Sequence, residues 1–161
     1  MLSIVRHVLY LVLAFVLQTT WSHDLTLFGV YPDFILLVLV AIALATGHLE
    51  ATILGFCVGL LQDTSMPADL GLNALAKSVV GFAVGIGRTR IIAEAPHVQV
   101  VVLVAAVLLH NLLYFIGHSA VPMTDVPFFW IRYGLGQAVY TALIGSVFAY
   151  GLRLRQRHLP L

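Results

Sequence analysis

The sequence predicts an all-α membrane protein with six transmembrane helices and both ends in the cytoplasm. Apolar residues make up 61% of the 161 positions and charged residues only 9%, and the mean hydropathy is +1.03. A soluble domain carries about 25% charged residues because its surface must face water. A spanning helix needs roughly 20 mostly apolar residues, so a chain of this length holds six or seven at most. We therefore expect a single integral membrane domain over residues 1–161.

Six apolar segments, separated by polar or proline-containing breaks, are the predicted spans. The prolines lie in the breaks or at span edges, where a missing amide proton costs least. The first segment imitates a signal peptide but lacks a small-x-small cleavage site, so we interpret it as an uncleaved span with Trp21 as an interfacial anchor. The predicted spans are about 5–21, 33–47, 49–62, 71–87, 98–117 and 130–152.

The apolar stretch from Phe34 to Gln62 is long for one helix and short for two. A single span would place His48 and Glu50 near its middle, where a buried carboxylate costs several kcal/mol. Two spans that turn at Gly47 put both polar residues at the interface. With six spans every arginine except Arg132 falls on the cytoplasmic side, as the positive-inside rule requires. Six spans are therefore favoured, although the turn itself carries no Lys or Arg.

A glycine motif occurs in both the third and the fourth span. Gly55-Phe56 is followed by Gly59, and Gly81-Phe82 is followed by Gly85, with the same spacing. Such G-x-x-x-G faces allow two helix backbones to approach closely in lipid. We expect these glycines to lie at helix–helix contacts, while five matching positions are too few to establish an internal duplication.

Lys77 is the least expected residue of the fourth span, because it lies about one turn inside an apolar segment. It shares one i, i+4 face with Asn73 and Gly81, which favours burial in a polar network. The alternative is that its side chain snorkels to the outer surface. Asp63 and Asp69 are the nearest acids in sequence and are candidate partners, although Asp63 could instead cap a helix. Both interpretations stay open at this level.

His110, Tyr114 and His118 follow each other at four-residue spacing on one face of the fifth span, and Asn111 adjoins them. A metal site or a proton relay is conceivable in such an arrangement. Hydrogen bonds between helices, with His118 at the interface, are the favoured interpretation. Lys77, His110, Asn111 and Tyr114 are accordingly our candidates for an intramembrane polar network.

Several functional classes find no support in the residues. There is no H-E-x-x-H sequence, no pair of aspartates typical of metal-dependent transferases, and no glycine-rich phosphate loop. The single Cys57 excludes an internal disulfide and a cysteine metal cage. The few basic residues lie at helix ends, which argues against a nucleic-acid groove. We predict no catalytic residue, no cofactor and no metal.

The middle third of the chain carries an ordered set of short motifs. They are Pro32-Asp33 followed by Leu36-Leu37, then Gly55-Phe56, Gly59-Leu60-Leu61-Gln62-Asp63, Leu70-Gly71-Leu72-Asn73-Ala74-Leu75 and Gly81-Phe82. In these motifs the chain resembles the rod shape-determining protein MreD family. The sequence departs from the family at His48-Leu49-Glu50-Ala51, where a basic, glycine-containing stretch is common.

The resemblance implies a non-catalytic, multi-pass subunit of the bacterial elongation complex in the cytoplasmic (inner) membrane. Its partners would be MreC, the actin-like MreB (directly or through MreC), and the glycosyltransferase RodA with its class B transpeptidase, in contact with membrane lipid. Together they would direct side-wall peptidoglycan synthesis and maintain rod shape.

The family is also thought to resemble the six-helix substrate-capture subunits of energy-coupling-factor transporters, so a vitamin-binding subunit is the alternative function. Such a subunit needs a polar pocket open to the outer face. The side chains available for one are Asn73, Lys77, His110, Asn111 and Tyr114. A small intramembrane enzyme is a third and less favoured possibility.

Overall fold

The computed structural model describes residues 2–21, 24–27, 29–88 and 96–158, with side chains described as far as Val147. This part of the chain is helical, and its turns contain one short 3-10 turn and one isolated bridge between Leu27 and Val30. The helices are α1 (Leu2–Trp21), α2 (Phe34–Thr46), α3 (His48–Asp63), α4 (Leu72–Gly87) and α5 (Pro96–Gly117), followed by a continuous rod of α6 (Val126–Phe129), a π-helical turn (Trp130–Gly134) and α7 (Leu135–His158).

Helix α2 lies at the centre of the molecule and contacts α1, α3, α4, α5 and α7. Its side chains are apolar on several faces, and Ile35, Leu36 and Leu39 are completely buried. Asp33 begins the helix as its N-cap, and its Oδ1 atom accepts the N–H of Leu36 at 2.8 Å. This bond satisfies one of the free N–H groups that every helix start leaves. The motif Pro32-Asp33 is therefore the start signal of the central helix.

The stretch from Phe34 to Gln62 forms two helices, as predicted from the sequence. The chain turns between α2 and α3 at Gly47, whose φ of 100° is costly for a residue with a side chain. The last rod differs from its expected range of 130–152, because it begins at Val126 and continues to His158. Pro127 stands in its first turn, where its missing N–H breaks no helical hydrogen bond.

Helices α3 and α4 form the most extensive helix–helix contact. A Cβ atom built on Gly81 would lie 2.5 Å from the carbonyl oxygen of Ala51, and one built on Gly55 would lie 2.6 Å from the carbonyl oxygen of Lys77. Real Cβ atoms do not approach so closely, so only glycine fits. The four backbone contacts are Gly55 with Lys77, Gly59 with Ala74, Gly81 with Ala51 and Gly85 with His48.

Helix α1 lies at the periphery and exposes most of its large apolar side chains. The side chains that it buries follow a narrow stripe at helical spacing: His7, Leu11, Ala14 and Gln18. Among the described residues, Ser3–Trp21 and His97–Gly117 are long and apolar enough to cross a membrane, and α2 and α4 are apolar but shorter.

Candidate functional site

A buried cation lies where α2, α4 and α5 meet. The side chain of Lys77 has no solvent exposure. Its Nζ atom lies 3.1 Å from Nε2 of His110, 3.3 Å from Oδ1 of Asn73 and 4.0 Å from Oδ2 of Asp33. We refer to Lys77, Asn73, His110 and Asp33 as the polar centre. Because a buried charge is costly unless paired, these neighbours are what allows an ammonium group to stay there.

Asp33 performs two tasks at once. One carboxylate oxygen caps α2, as described above, and the other is the nearest acidic oxygen to Lys77. The N–H of Asp33 donates to Oγ1 of Thr141 at 3.0 Å, and the N–H of Phe34 donates to Oε1 of Gln18 at 2.8 Å. The start of α2 is thereby held by side chains from α1 and α7 as well as by the cation of α4.

Asp63, at the end of α3, binds the beginning of α4. Its two carboxylate oxygens accept the N–H groups of Gly71, Asn73 and Ala74 at 3.0–3.1 Å and the side-chain amide of Asn73 at 2.9 Å. A carboxylate at a helix N-terminus is favoured by the helix dipole. Asn73 then connects this cap to the polar centre through its second amide atom, which accepts from Lys77.

Among the described residues, neither Asp63 nor Asp69, the two candidate acids nearest in sequence, forms an ion pair with Lys77, whose acidic neighbour is Asp33. The oxygens of Asp63 are occupied by the start of α4, and Asp69 turns toward the loop after α5. There its carboxylate accepts the N–H of Ser119 at 2.9 Å and lies 3.2 Å from Nδ1 of His118. Asp33 takes the place beside Lys77 because the central helix begins at the same level.

The aromatic face of α5 reaches the polar centre only through His110. The rings of His110 and Tyr114 stack at 6.1 Å, and the ring of Tyr114 meets that of His118 edge-on at 5.2 Å. The Tyr114 hydroxyl lies 3.8 Å from the sulfur of Met66, away from Lys77. Nδ1 of His110 is buried and has no hydrogen-bond partner in the described part of the chain.

Asn111 does not join the polar centre, although it follows His110 directly. Its amide donates to Oε1 of Gln137 on α7 at 2.8 Å. Trp130 makes a second polar contact between these elements, from its indole N–H to the Leu108 carbonyl at 2.9 Å. Sequence reasoning missed Gln137, and it also missed Gln18 and Thr141, since single polar residues in apolar helices carry no spacing signal.

This arrangement is suited to holding helices together. Asn73, Lys77 and His110 direct their polar atoms at one another, and Asp33 and Asp63 direct theirs at helix N-termini. In the described residues no three His, Cys, Asp or Glu side chains come together in a way that could hold a metal ion. These contacts compensate a buried charge and cap helix N-termini within an apolar protein interior.

The family model described as rod shape-determining protein MreD matches residues 1–152 of the chain. The match therefore includes α1 to α6 and most of α7, with every residue of the polar centre. No curated protein and no solved structure gives a significant match.

Proposed function

The chain belongs to the MreD family of rod shape-determining proteins, and on this premise we propose that it is a non-catalytic membrane subunit of the bacterial cell-elongation complex. The single observation that carries the proposal is the family match over residues 1–152. MreD is a shape-determining family associated with the membrane. In the proposed role the protein helps to direct side-wall peptidoglycan synthesis and thereby maintains rod shape.

We propose that the protein crosses the cytoplasmic membrane six times with both ends inside. The apolar surface of α1, the length of α1 and α5, and the arginine distribution support this topology. Reporter fusions after Arg90 and at the C-terminus should read cytoplasmic, and fusions near Asp69 and Asp125 should read external. A C-terminus that reads external would contradict the six-span topology.

The proposed partners are MreC, RodA with its class B transpeptidase, and MreB, reached directly or through MreC. A subunit that binds partners within the bilayer needs apolar helix faces at the level of the lipid. Helices α3 and α4 carry such faces on the side opposite their mutual contact. Their exposed large side chains are Ile53, Phe56, Leu60, Leu61, Leu75, Val79, Phe82 and Ile86.

Depletion in a rod-shaped host tests the function. Cells that lose the protein should become round and mislocalise side-wall synthesis, and plasmid-borne wild-type protein should restore both properties. Co-purification after mild detergent extraction, with mass spectrometry of proteins and small molecules, should recover the proposed partners. Normal rods after complete loss, in a host with no second copy, would contradict the proposal.

The alternative of a vitamin-binding transport subunit finds less support in the contacts. Asn73 and His110, which would have to bind the ligand, each bond to Lys77, and Asn111 is bonded to Gln137. A capture site needs such donors and acceptors directed at the ligand. Purified protein that holds a stoichiometric vitamin would favour this alternative over the shape function.

A further inference from the structure

The beginning of the last rod combines exposed apolar side chains with an exposed cation. Phe128 and Ile131 are 63% and 56% exposed, and Leu135 is 42% exposed. Arg132 is also exposed and stands between them in sequence. All four side chains are exposed within two turns of one continuous rod, so we treat them as one outward surface. We refer to Phe128, Ile131, Arg132 and Leu135 as the arginine face.

No carboxylate of the described residues forms an ion pair with Arg132. Its guanidinium carbon lies 5.7 Å from the centre of the Tyr133 ring, an ordinary cation–π distance. Asp125, the preceding acid in the sequence, stands seven residues earlier, or about 10 Å along a helix. The guanidinium is therefore free to bind an anion from outside the protein.

The other side of this segment is fixed to the body of the protein. The indole of Trp130 donates to the Leu108 carbonyl, and the ring of Phe129 stacks on that of Tyr133 at 5.8 Å and 22°. A π-helical turn covers Trp130–Gly134, in which the N–H of Leu135 bonds to the carbonyl of Trp130. Such turns occur frequently at functional sites. The arginine face is thus held in a defined orientation by an irregular helix.

We propose that the arginine face binds an anionic phospholipid of the outer leaflet. The guanidinium donates to the phosphate in the planar geometry that arginine favours, and Phe128, Ile131 and Leu135 contact the acyl chains. The apolar neighbours select a lipid over a soluble anion, and the positive charge of Arg132 favours a lipid of net negative charge over a zwitterionic one. This site rests on the six-span topology proposed above, which places Val126–Gly134 at the outer interface.

Tryptophan fluorescence provides a direct test, because the chain has two tryptophans. The variant Trp21→Phe leaves Trp130, two residues from Arg132, as the reporter. It is reconstituted in vesicles that contain either brominated phosphatidylglycerol or brominated phosphatidylcholine. One cation near an anionic surface should give a relative binding constant about fivefold higher for the anionic lipid. Adding Arg132→Gln should abolish that preference, and Arg132→Lys should keep most of it.

Arg6→Gln is the matched control, because it removes an exposed cation from α1, outside the arginine face, and should leave the preference unchanged. The lipid site would be overturned if the protein with both arginines bound the two lipids equally, or if the preference survived Arg132→Gln. Either result would leave the topology intact. Absence of quenching by either lipid would mean that no brominated lipid lies beside this segment, which would also overturn the lipid site, while the reporter fusions described above test the topology separately.

Discussion

The helix pair α3–α4 and the pair α5–α7 are held together in opposite ways. In α3–α4 the backbones touch at four glycines. In α5–α7 the amides of Asn111 and Gln137 bond across the contact, and Gly145 meets the side chain of Leu103 rather than backbone. Lipid is as apolar as the helices, so association in a membrane relies on close packing or on interhelical hydrogen bonds. This protein uses one solution in each pair.

The polar centre connects the two pairs. The backbone of Lys77 contacts Gly55 in the α3–α4 pair, while its side chain reaches His110 on α5. The glycine contacts are also reciprocal, since Gly55 meets the residue four positions before Gly81, and Gly81 meets the residue four positions before Gly55. The repeated glycine motif therefore matches a local two-fold relation within one antiparallel hairpin.

Loss of the buried cation should have the largest effect. Lys77→Met leaves the carboxylate of Asp33 buried without its cation, and breaking a buried pair in this way costs about 3–5 kcal/mol. Unfolding by denaturing detergent should show this loss of stability. Arg6→Gln, which removes an exposed cation, should change stability by less than about 0.5 kcal/mol. Wild-type stability of Lys77→Met would mean that the ammonium group is not buried.

A methyl group added to the glycine contact should have the next largest effect. Gly81→Ala drives its Cβ into the carbonyl oxygen of Ala51, and overpacking of this kind costs about 1–3 kcal/mol. Gly134→Ala, near the α5–α7 contact, meets a side-chain atom of Trp130 at 3.3 Å rather than backbone and should be tolerated better. The folded yield and the free energy of unfolding of the two variants compare the α3–α4 and α5–α7 pairs directly. Equal losses in both variants would refute the difference between the pairs.

Removing the side-chain hydrogen bond between α5 and α7 should have a smaller effect on stability. Asn111→Leu and Gln137→Leu each remove one partner of the 2.8 Å amide bond. Double-mutant cycles for interhelical hydrogen bonds in membranes average about 0.6 kcal/mol. The same cycle here should give a coupling of that size. A coupling of zero would show that the two amides do not bond to each other.

The smallest expected effect is the pH-dependent contribution of the Asp69 carboxylate to stability. The N–H of Ser119, with the nearby His118, lowers the pKa of Asp69 below the ordinary value of 3.8. A lowered pKa stabilises the fold above that ordinary value, and the contribution disappears as pH falls through the folded-state pKa. Lowering the pH below about 4 should therefore reduce the melting temperature of the wild type more than that of Asp69→Asn. An equal fall in melting temperature for the wild type and Asp69→Asn would contradict the role of this carboxylate.

Local patterns predicted the elements well and the pairing of charges badly. The glycine spacing and the turn at Gly47 are local signals, and both match the structure. The partner of Lys77 depends on where the start of α2 lies, which no spacing within α4 reveals. Pro32-Asp33 signals a helix cap, but the second role of Asp33 arises only from tertiary packing.

The two neighbours on α5 illustrate the same limit. His110 and Asn111 were grouped together as polar candidates. Successive residues point about 100° apart around a helix, so His110 faces α4 while Asn111 faces α7. Assigning each to its partner requires the rotation of α5, which a short polar cluster does not define.

The central proposal is that the polar centre serves to hold the helices together. Complementation of rod shape by Lys77→Met and by the double variant Lys77→Met/Asp33→Asn tests it most directly. The second substitution removes the carboxylate that Lys77→Met leaves unpaired, and Asn is as good an N-cap as Asp. We therefore expect the single variant to lose protein level and rod shape and the double variant to restore both. A double variant that accumulates to the wild-type level and leaves the cells round would contradict the claim.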